Sequence, residues 1–275
     1  MRFLIICPSA KAGKDGVGDY SRHLAKALIL KGHEAALLAI NDKLLESDSV
    51  VSPSEARISS RLSTDKRIKF TRKFVQSFQP DVLSLQYVNY GFHPKGLPFG
   101  LEKELRSLTN NVRWHIMFHE LWIEPHGSVV DLAISLLQRS LVLSLCQDLG
   151  PAVIHTSNFY YQKRLERIGI KSAILPIFSN IAVSPQQRIP TANAWTFVFF
   201  GTLRKGWDPN SLLQQVEKAR ILANKKLCYF VSVGRIGADG DQIWEGMMNA
   251  GFDHFKFVRI GELPSREISH QLHAA

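Results

Sequence analysis

The sequence predicts an α/β protein made of two Rossmann-like domains, the second incomplete, on three observations. Short continuous apolar runs, of the kind expected for strands buried on both faces, alternate with amphipathic segments at helical period. A glycine-rich turn follows the first run and leads into a helix, the β-loop-α-β opening of a parallel sheet. A polar segment with two prolines, Ser184 to Asn193, then separates a long first series of units from a short second one.

Phe3 to Cys7 reads as the first strand. The helix after the turn runs from about Asp19 to Lys31, with Tyr20, Leu24, Ala27 and Leu28 at helical spacing and Gly32 placed to cap it. Ala35 to Ile40 is the second strand. From Asn41 to about Ser63 the periodicity weakens and serine becomes frequent, which predicts an irregular connection. A basic amphipathic helix follows, and Gln79-Pro80 stops it at Phe78, ahead of the strand Val82 to Gln86. The helix Leu101 to Leu108, strand Arg113 to Phe118, helix Val129 to Leu149, strand Val153 to Thr156 and helix Phe159 to Ile168 complete a first domain, residues 1–183. In the second, residues 194–275, strands at Thr196 to Phe200, Leu227 to Val233 and Phe255 to Ile260 alternate with helices at Ser211 to Asn224, Gln242 to Ala250 and from Ser265. That is three β/α units where a complete domain usually holds about five or six.

Composition bounds the function. A chain of 275 residues, 45% hydrophobic and 21% charged, can bury its own core and is not mainly disordered. Cys7, Cys146 and Cys228 show no CxxC or Cys/His spacing, so a disulfide framework and a structural zinc site lack support and a reducing, cytoplasmic compartment fits. The apolar stretch Phe3 to Cys7 is too short for a secretory signal, and Ser140 to Cys146 is too short to span a bilayer, so no transmembrane segment is expected. Lys and Arg total 34 against 24 Asp and Glu, a net charge of +10, which favours anionic partners. The basic sections Arg57 to Lys73 and Lys218 to Lys226 read either as solvated helix faces or as a surface for peripheral contact with an anionic membrane. Without a recognition helix, finger or aromatic RNA platform, nucleic acid is not expected as a partner.

Four stretches carry candidate chemistry. In GKDGVGDY, Gly16 and Gly18 let backbone approach a ligand at a helix start, or simply make a tight turn; Lys14 is not placed as in a P-loop and the spacing is not GxGxxG. In FHELW, His119 and Glu120 follow a central strand, where open parallel sheets bind ligands; a satisfied structural histidine is the alternative, and His115 and Trp114 read as packing. HELWIEPH is not HExxH, because Ile123 stands where the second histidine would be. In IFSNI, Ser179 and Asn180 are polar between apolar neighbours and either line a cleft or cap local backbone. In FFGTLRKGWDP, Arg204 and Lys205 follow a strand-ending glycine and either neutralise a diphosphate or are solvated.

Together, GVGDYSRHLAKAL, PDVLSLQY, FHELW, HTSNFYYQKRL, LPIFSNI, FFGTLRKGWDP and IGELPSREISHQL resemble, in order and spacing and across the full chain, a large enzyme family. These are the retaining, nucleotide-sugar-dependent glycosyltransferases of the GT-B architecture, in particular family 4 (glycosyl transferases group 1). The resemblance implies transfer of a sugar from a nucleotide-diphosphate sugar to a glycan or lipid-linked acceptor with retention, at the cytoplasmic membrane face, with no further cofactor and no metal. It implies that Gly16 and Gly18 meet the sugar or phosphate region with Asp19 nearby, that His119 contacts the transferred sugar, and that Arg204 and Lys205 hold the diphosphate. Here Arg204, Lys205 and Gly206 are contiguous, whereas the family spaces its Arg and Lys-Gly apart. The family's ExxxxxxxE segment would fall after Ala275, and Glu262 and Glu267 lie in a different motif. A truncated donor-side domain is therefore expected. The alternative is a non-catalytic fragment that acts as a binding or assembly partner, with a separate C-terminal half among its partners. A dinucleotide-dependent oxidoreductase lacks its fingerprint, Asp42 being the one nearby acidic residue after the second strand.

Overall fold

The computed structural model describes residues 1–108, 112–125, 127–181, 183, 193–203 and 206–274. Arg204, Lys205 and residues 184–192 of the expected linker lie outside the described residues. The chain divides into two units, Met1–Asn180 and Ile181–Ala275.

The first unit contains β1 (Arg2–Cys7), α1 (Gly16–Leu30), β2 (Glu34–Asp42), β3 (Ser49–Val51), β4 (Glu55–Ser59), α2 (Thr64–Phe78) and β5 (Val82–Tyr87). It continues through α3 (Asn89–Phe92), α4 (Leu101–Arg106), β6 (Arg113–Phe118), α5 (Val129–Leu149), β7 (Val153–Thr156), α6 (Phe159–Glu166) and β8 (Ala173–Ile174). Its eight strands run in the order β3-β4-β2-β1-β5-β6-β7-β8. All neighbours are parallel except β3, which pairs antiparallel with β4. The order reverses at β1, where β2 lies on one side and β5 on the other, so the carboxyl ends of β1 and β5 flank a topological switch point.

Strand alternation assigns the two faces. Leu83, Leu85 and Tyr87 of β5 and Trp114, Ile116 and Phe118 of β6 point into the main core, against Phe74 and Val75 of α2, Leu105 of α4 and Val142 and Leu145 of α5. The opposite face carries α1 over β1 and β2, with Ile5, Cys7, Leu37 and Ala39 beneath it. Beside α1 that face opens into a cavity of about 340 Å³, lined by Phe3, Leu28, Val82, Ser84, His115 and His155 among others.

One sequence expectation needs correction. Residues 41–63 are not merely irregular, since they include β3 and β4. Ala56 and Ile58, two residues apart on β4, are both buried. A second force is electrostatic: Arg57 Nε donates to the fully buried Asp42 carboxylate at 2.7 Å, with Ser9 Oγ, Ala10 N and Leu44 N as further donors. Burial by itself would raise the Asp42 pKa; the four donors outweigh it and hold the group below the usual carboxylate range. The apolar content of α5 also exceeds what its short continuous runs suggest. Its 21 residues include an 18-residue window of mean hydropathy 1.7, long and apolar enough to cross a membrane by length and composition. Asp131, Ser135, the run Gln138-Arg139-Ser140 and Ser144 break its apolar runs and conceal this from a search for continuous ones.

The second unit has β9 (Ala194–Phe200), α7 (Asn210–Leu222), β10 (Leu227–Val233), α8 (Ala238–Met248), β11 (Phe255–Gly261) and α9 (Ser265–Ala274). Its three strands are parallel in the order β11-β10-β9. Phe230 stands at the centre, with Phe197, Phe199, Phe255 and Phe257 around it at ring-centroid distances of 4.9 to 6.2 Å. Each strand is followed by, or ends in, a glycine with positive φ, Gly201, Gly234 and Gly261, which turns the chain sharply at one edge of the sheet.

Candidate functional site

Three of the four predicted stretches meet at the carboxyl edge of the large sheet. His119 directly follows β6, and its backbone N–H donates to Tyr87 O at 3.1 Å, which ties it to the end of β5. Its ring packs edge-on against Tyr20 of α1, centroids 4.9 Å apart, and Tyr20 in turn stacks on Phe178 at 4.3 Å. Two residues on, Asn180 Nδ2 donates to Gly16 O at 3.0 Å. The glycine-rich turn, FHELW and IFSNI thus form one cluster, with Tyr20 in the middle.

The turn is internally braced. Asp15 caps α1, its carboxylate accepting from Gly18 N at 2.7 Å, which starts the helix three residues before Asp19. Burial raises the Asp15 pKa and the Gly18 N–H opposes that rise. Asp19 turns its carboxylate onto Gly13 N at 3.0 and 3.1 Å and onto Arg22 Nη1 at 3.2 Å. The two glycines differ. A Cβ on Gly18 would stand 2.5 Å from Ser9 O and 2.8 Å from Ala10 Cα, so its lack of a side chain is required by chain packing. A Cβ on Gly16 meets nothing within 4 Å, and Gly16 is exposed. An anion at this helix start would compete with the Asp15 carboxylate, so the loop suits hydroxyl groups better than phosphate.

His119 sits at the end of a polar file on the face of β5, β6 and β7 opposite the main core. Gln86 Oε1 lies 3.0 Å from His119 Nε2, and Gln86 Nε2 donates to Ser84 Oγ at 2.9 Å. Ser84 Oγ lies 2.8 Å from His115 Nδ1, and His115 Nε2 lies 2.9 Å from His155 Nδ1. With the Gln86 amide nitrogen turned to Ser84, its oxygen accepts from His119, so His119 carries its proton on Nε2 and keeps Nδ1 as an acceptor. Burial pushes the His119 pKa down to about 4. His115 is also held near 4, by burial and then by His155. Both rings are therefore neutral at neutral pH.

Sequence reasoning placed Trp114 correctly in the core but took His115 as packing as well; it belongs to the polar file. It also missed Gln86, Ser84, His155, Tyr20 and Phe178 as parts of the site. The signal was the same-face placement of Ser84 and Gln86, two residues apart, and of His115 and His119, four apart, along otherwise apolar runs. Glu120 points out and is exposed, and Ser179 is exposed beside Asn180.

In the second unit, the turns at Gly201 and Gly234 lie together. Leu203 N donates to Ile236 O at 3.1 Å, and a Cβ on Gly237 would stand 2.7 Å from Thr202 Cγ2. Arg235 pairs with Glu262 at 3.5 Å. Asp239 and Asp241 lie in the first turn of α8, and Asp241 pairs with Arg259 at 2.5 Å. Among the described residues no cluster of three His, Cys, Asp or Glu is placed to hold a metal ion.

No known family matches the chain as a sequence, and no characterised protein is significantly similar to it in sequence. Solved structures do match. TarM superposes over 99% of this chain and 78% of its own, at 7% identity and a TM-score of 0.61. An alpha-glucosyltransferase in complex with UDP and a 13-mer DNA containing an HMU base matches 99% of this chain and 70% of its own, at 15% identity and a TM-score of 0.56. The fold is GT-B-like. UDP-GlcNAc 2-epimerase from Methanocaldococcus jannaschii shares it over 98% of this chain and 76% of its own, at 10% identity and a TM-score of 0.56. At such identities the likeness concerns the fold.

Proposed function

We propose that this chain is a glycosyltransferase of the family 4 kind that moves a sugar from a nucleotide-diphosphate sugar to a glycan or lipid-linked acceptor, with retention, in the cytoplasm at the membrane face. The observation that carries the reading is the cluster of His119, Tyr20, Phe178, Asn180 and Gly16 at the carboxyl edge of a GT-B-like sheet. Neighbours of the same fold have been solved with UDP, and one is named for a UDP-sugar, which supports a nucleotide sugar as the donor class.

The chemistry follows from groups that the chain supplies. A neutral His119, held through Nε2 by Gln86, offers Nδ1 to a sugar hydroxyl and fixes the ring beside the anomeric carbon. The acceptor hydroxyl attacks that carbon from the face the nucleotide leaves. The leaving diphosphate takes the proton, and Arg204 and Lys205 neutralise its charge. Gly16 leaves room for the sugar against the turn.

The test is calorimetric titration with UDP-glucose, UDP-N-acetylglucosamine and GDP-mannose, followed by assay of free nucleotide and free sugar. Saturable binding of one donor, with slow release of its nucleotide that His119→Asn abolishes without loss of binding, is the expected result. Absence of binding by all three at millimolar concentration would overturn the reading. Formation of an epimer of the bound donor would reassign the site to isomerisation.

A further inference from the structure

The first half of α5 is built inside out. Ser135 and Gln138 point inward and are buried, Ser135 Oγ donating to Ile123 O at 2.7 Å and Gln138 Oε1 accepting from Ile123 N at 2.9 Å. Val129, Val130, Leu132, Leu136 and Leu137 point outward, at 82%, 65%, 47%, 54% and 44% exposure. A helix that needed only to cover the sheet would have the reverse pattern. The apolar residues recur at 129, 132 and 136 and at 130 and 137, so they form a continuous exposed strip.

From this we infer that the strip is a membrane-docking element, which inserts into the interfacial layer of an anionic bilayer while a basic groove in the same helical layer holds lipid phosphates. The groove lies between α2 and α4, in the same helical layer as α5, and has a volume of about 970 Å³. Lys69, Arg72, Lys73 and Lys103 line it, against Asp65 and Glu104, and Glu104 is paired with Arg67 at 3.6 Å. Phe99, 63% exposed, stands at the groove as a second apolar contact. Cations and an exposed apolar strip in one helical layer match a surface that is anionic outside and hydrocarbon inside.

Depth is limited by the fold. Val142, Leu145 and Leu149, in the second half of α5, are buried in the main core, so the helix cannot leave the domain to span a bilayer despite its length and hydropathy. The free part, Val129–Leu137, is about 13 Å long at 1.5 Å per residue, enough to reach the acyl boundary when tilted. One apolar element alone binds membranes weakly, and a basic patch adds the second signal needed for stable attachment. The inference does not depend on the transfer reaction, because vesicle binding is read without a donor or acceptor.

The experiment is sedimentation of the full chain with sucrose-loaded vesicles, of phosphatidylglycerol with phosphatidylcholine or of phosphatidylcholine alone, at low and high salt. Binding to the anionic vesicles at least tenfold above that to neutral ones is expected at low salt. Leu132→Asp with Leu136→Asp should lower it at least tenfold, and Lys69→Glu with Lys73→Glu should remove the low-salt preference. A Leu136→Trp variant covers the case in which the aspartates disturb folding: its added fluorescence should be quenched by brominated acyl chains. Unchanged sedimentation of the double aspartate variant, or no quenching, would overturn the inference. So would a concentration-dependent dimer dissolved by the same aspartates, which would give the strip to a second copy. Retention of duplex DNA in place of vesicles would give the groove to nucleic acid.

Discussion

Acidification from pH 7.5 to 5.5 should destabilise the first unit through His119 and His115. Both rings titrate near pH 4 in the folded protein, against an ordinary histidine value of 6.5. A folded pKa below the unfolded one gives stability that is complete above pH 6.5 and is lost as pH falls toward 4, because the unfolded chain takes up protons first. Over the stated interval the proton-binding difference amounts to about 1.3 kcal/mol for each ring, or about 2.6 kcal/mol for both, and the fall continues until about pH 4. Hydrogen–deuterium exchange of the β5 and β6 amides, limited by opening of this unit, reports the change without interference from the second unit. His119→Asn keeps a donor for Gln86 and should remove about half of the pH dependence. Protection that is flat between pH 7.5 and 5.5, or a slope unchanged in His119→Asn, would refute the assignment of these rings as buried and neutral.

Three substitutions test other parts of the argument. Gly18→Ala forces a Cβ against backbone at Ser9 and Ala10 and should cost about 1–3 kcal/mol in thermal or denaturant unfolding, whereas Gly16→Ala should stay within about 0.5 kcal/mol. Gln86→Leu removes the partner of His119 Nε2 and of Ser84 Oγ; unfolding should become easier by about 1–3 kcal/mol, and donor turnover should fall while donor affinity changes little. Asp42→Ala leaves the Arg57 guanidinium half-buried without its carboxylate, and a loss of about 3–5 kcal/mol is expected, measured by urea unfolding with Asp42→Asn as the milder control.

The parts of the fold that were legible in the sequence are those whose local pattern and tertiary environment agree. Continuous apolar strands such as Phe3 to Cys7 and the glycine-rich turn before a helix announce a parallel sheet, because only burial on both faces selects such runs. β3 and β4 were illegible because their stability is not local: Glu55–Ser59 is polar by composition and is held by the Asp42–Arg57 pair and by pairing with β2. His119 could be picked out because it stands where a strand ends. His155 could not, because its link to His119 passes through Ser84, Gln86 and His115 on two other strands, and register across strands is not written in any one of them.

The two sheets differ in how they finish. The large one closes with β3, three residues long and antiparallel, on one side and with β8, two residues long, on the other, so little unpaired backbone is offered along either border. In the small sheet β9 and β11 are both seven residues long, and among the described residues each pairs only with β10. Rows of amide and carbonyl groups on such borders are templates for strand addition. At high concentration, self-association should therefore begin from the second unit, and a peptide able to extend either border should slow it.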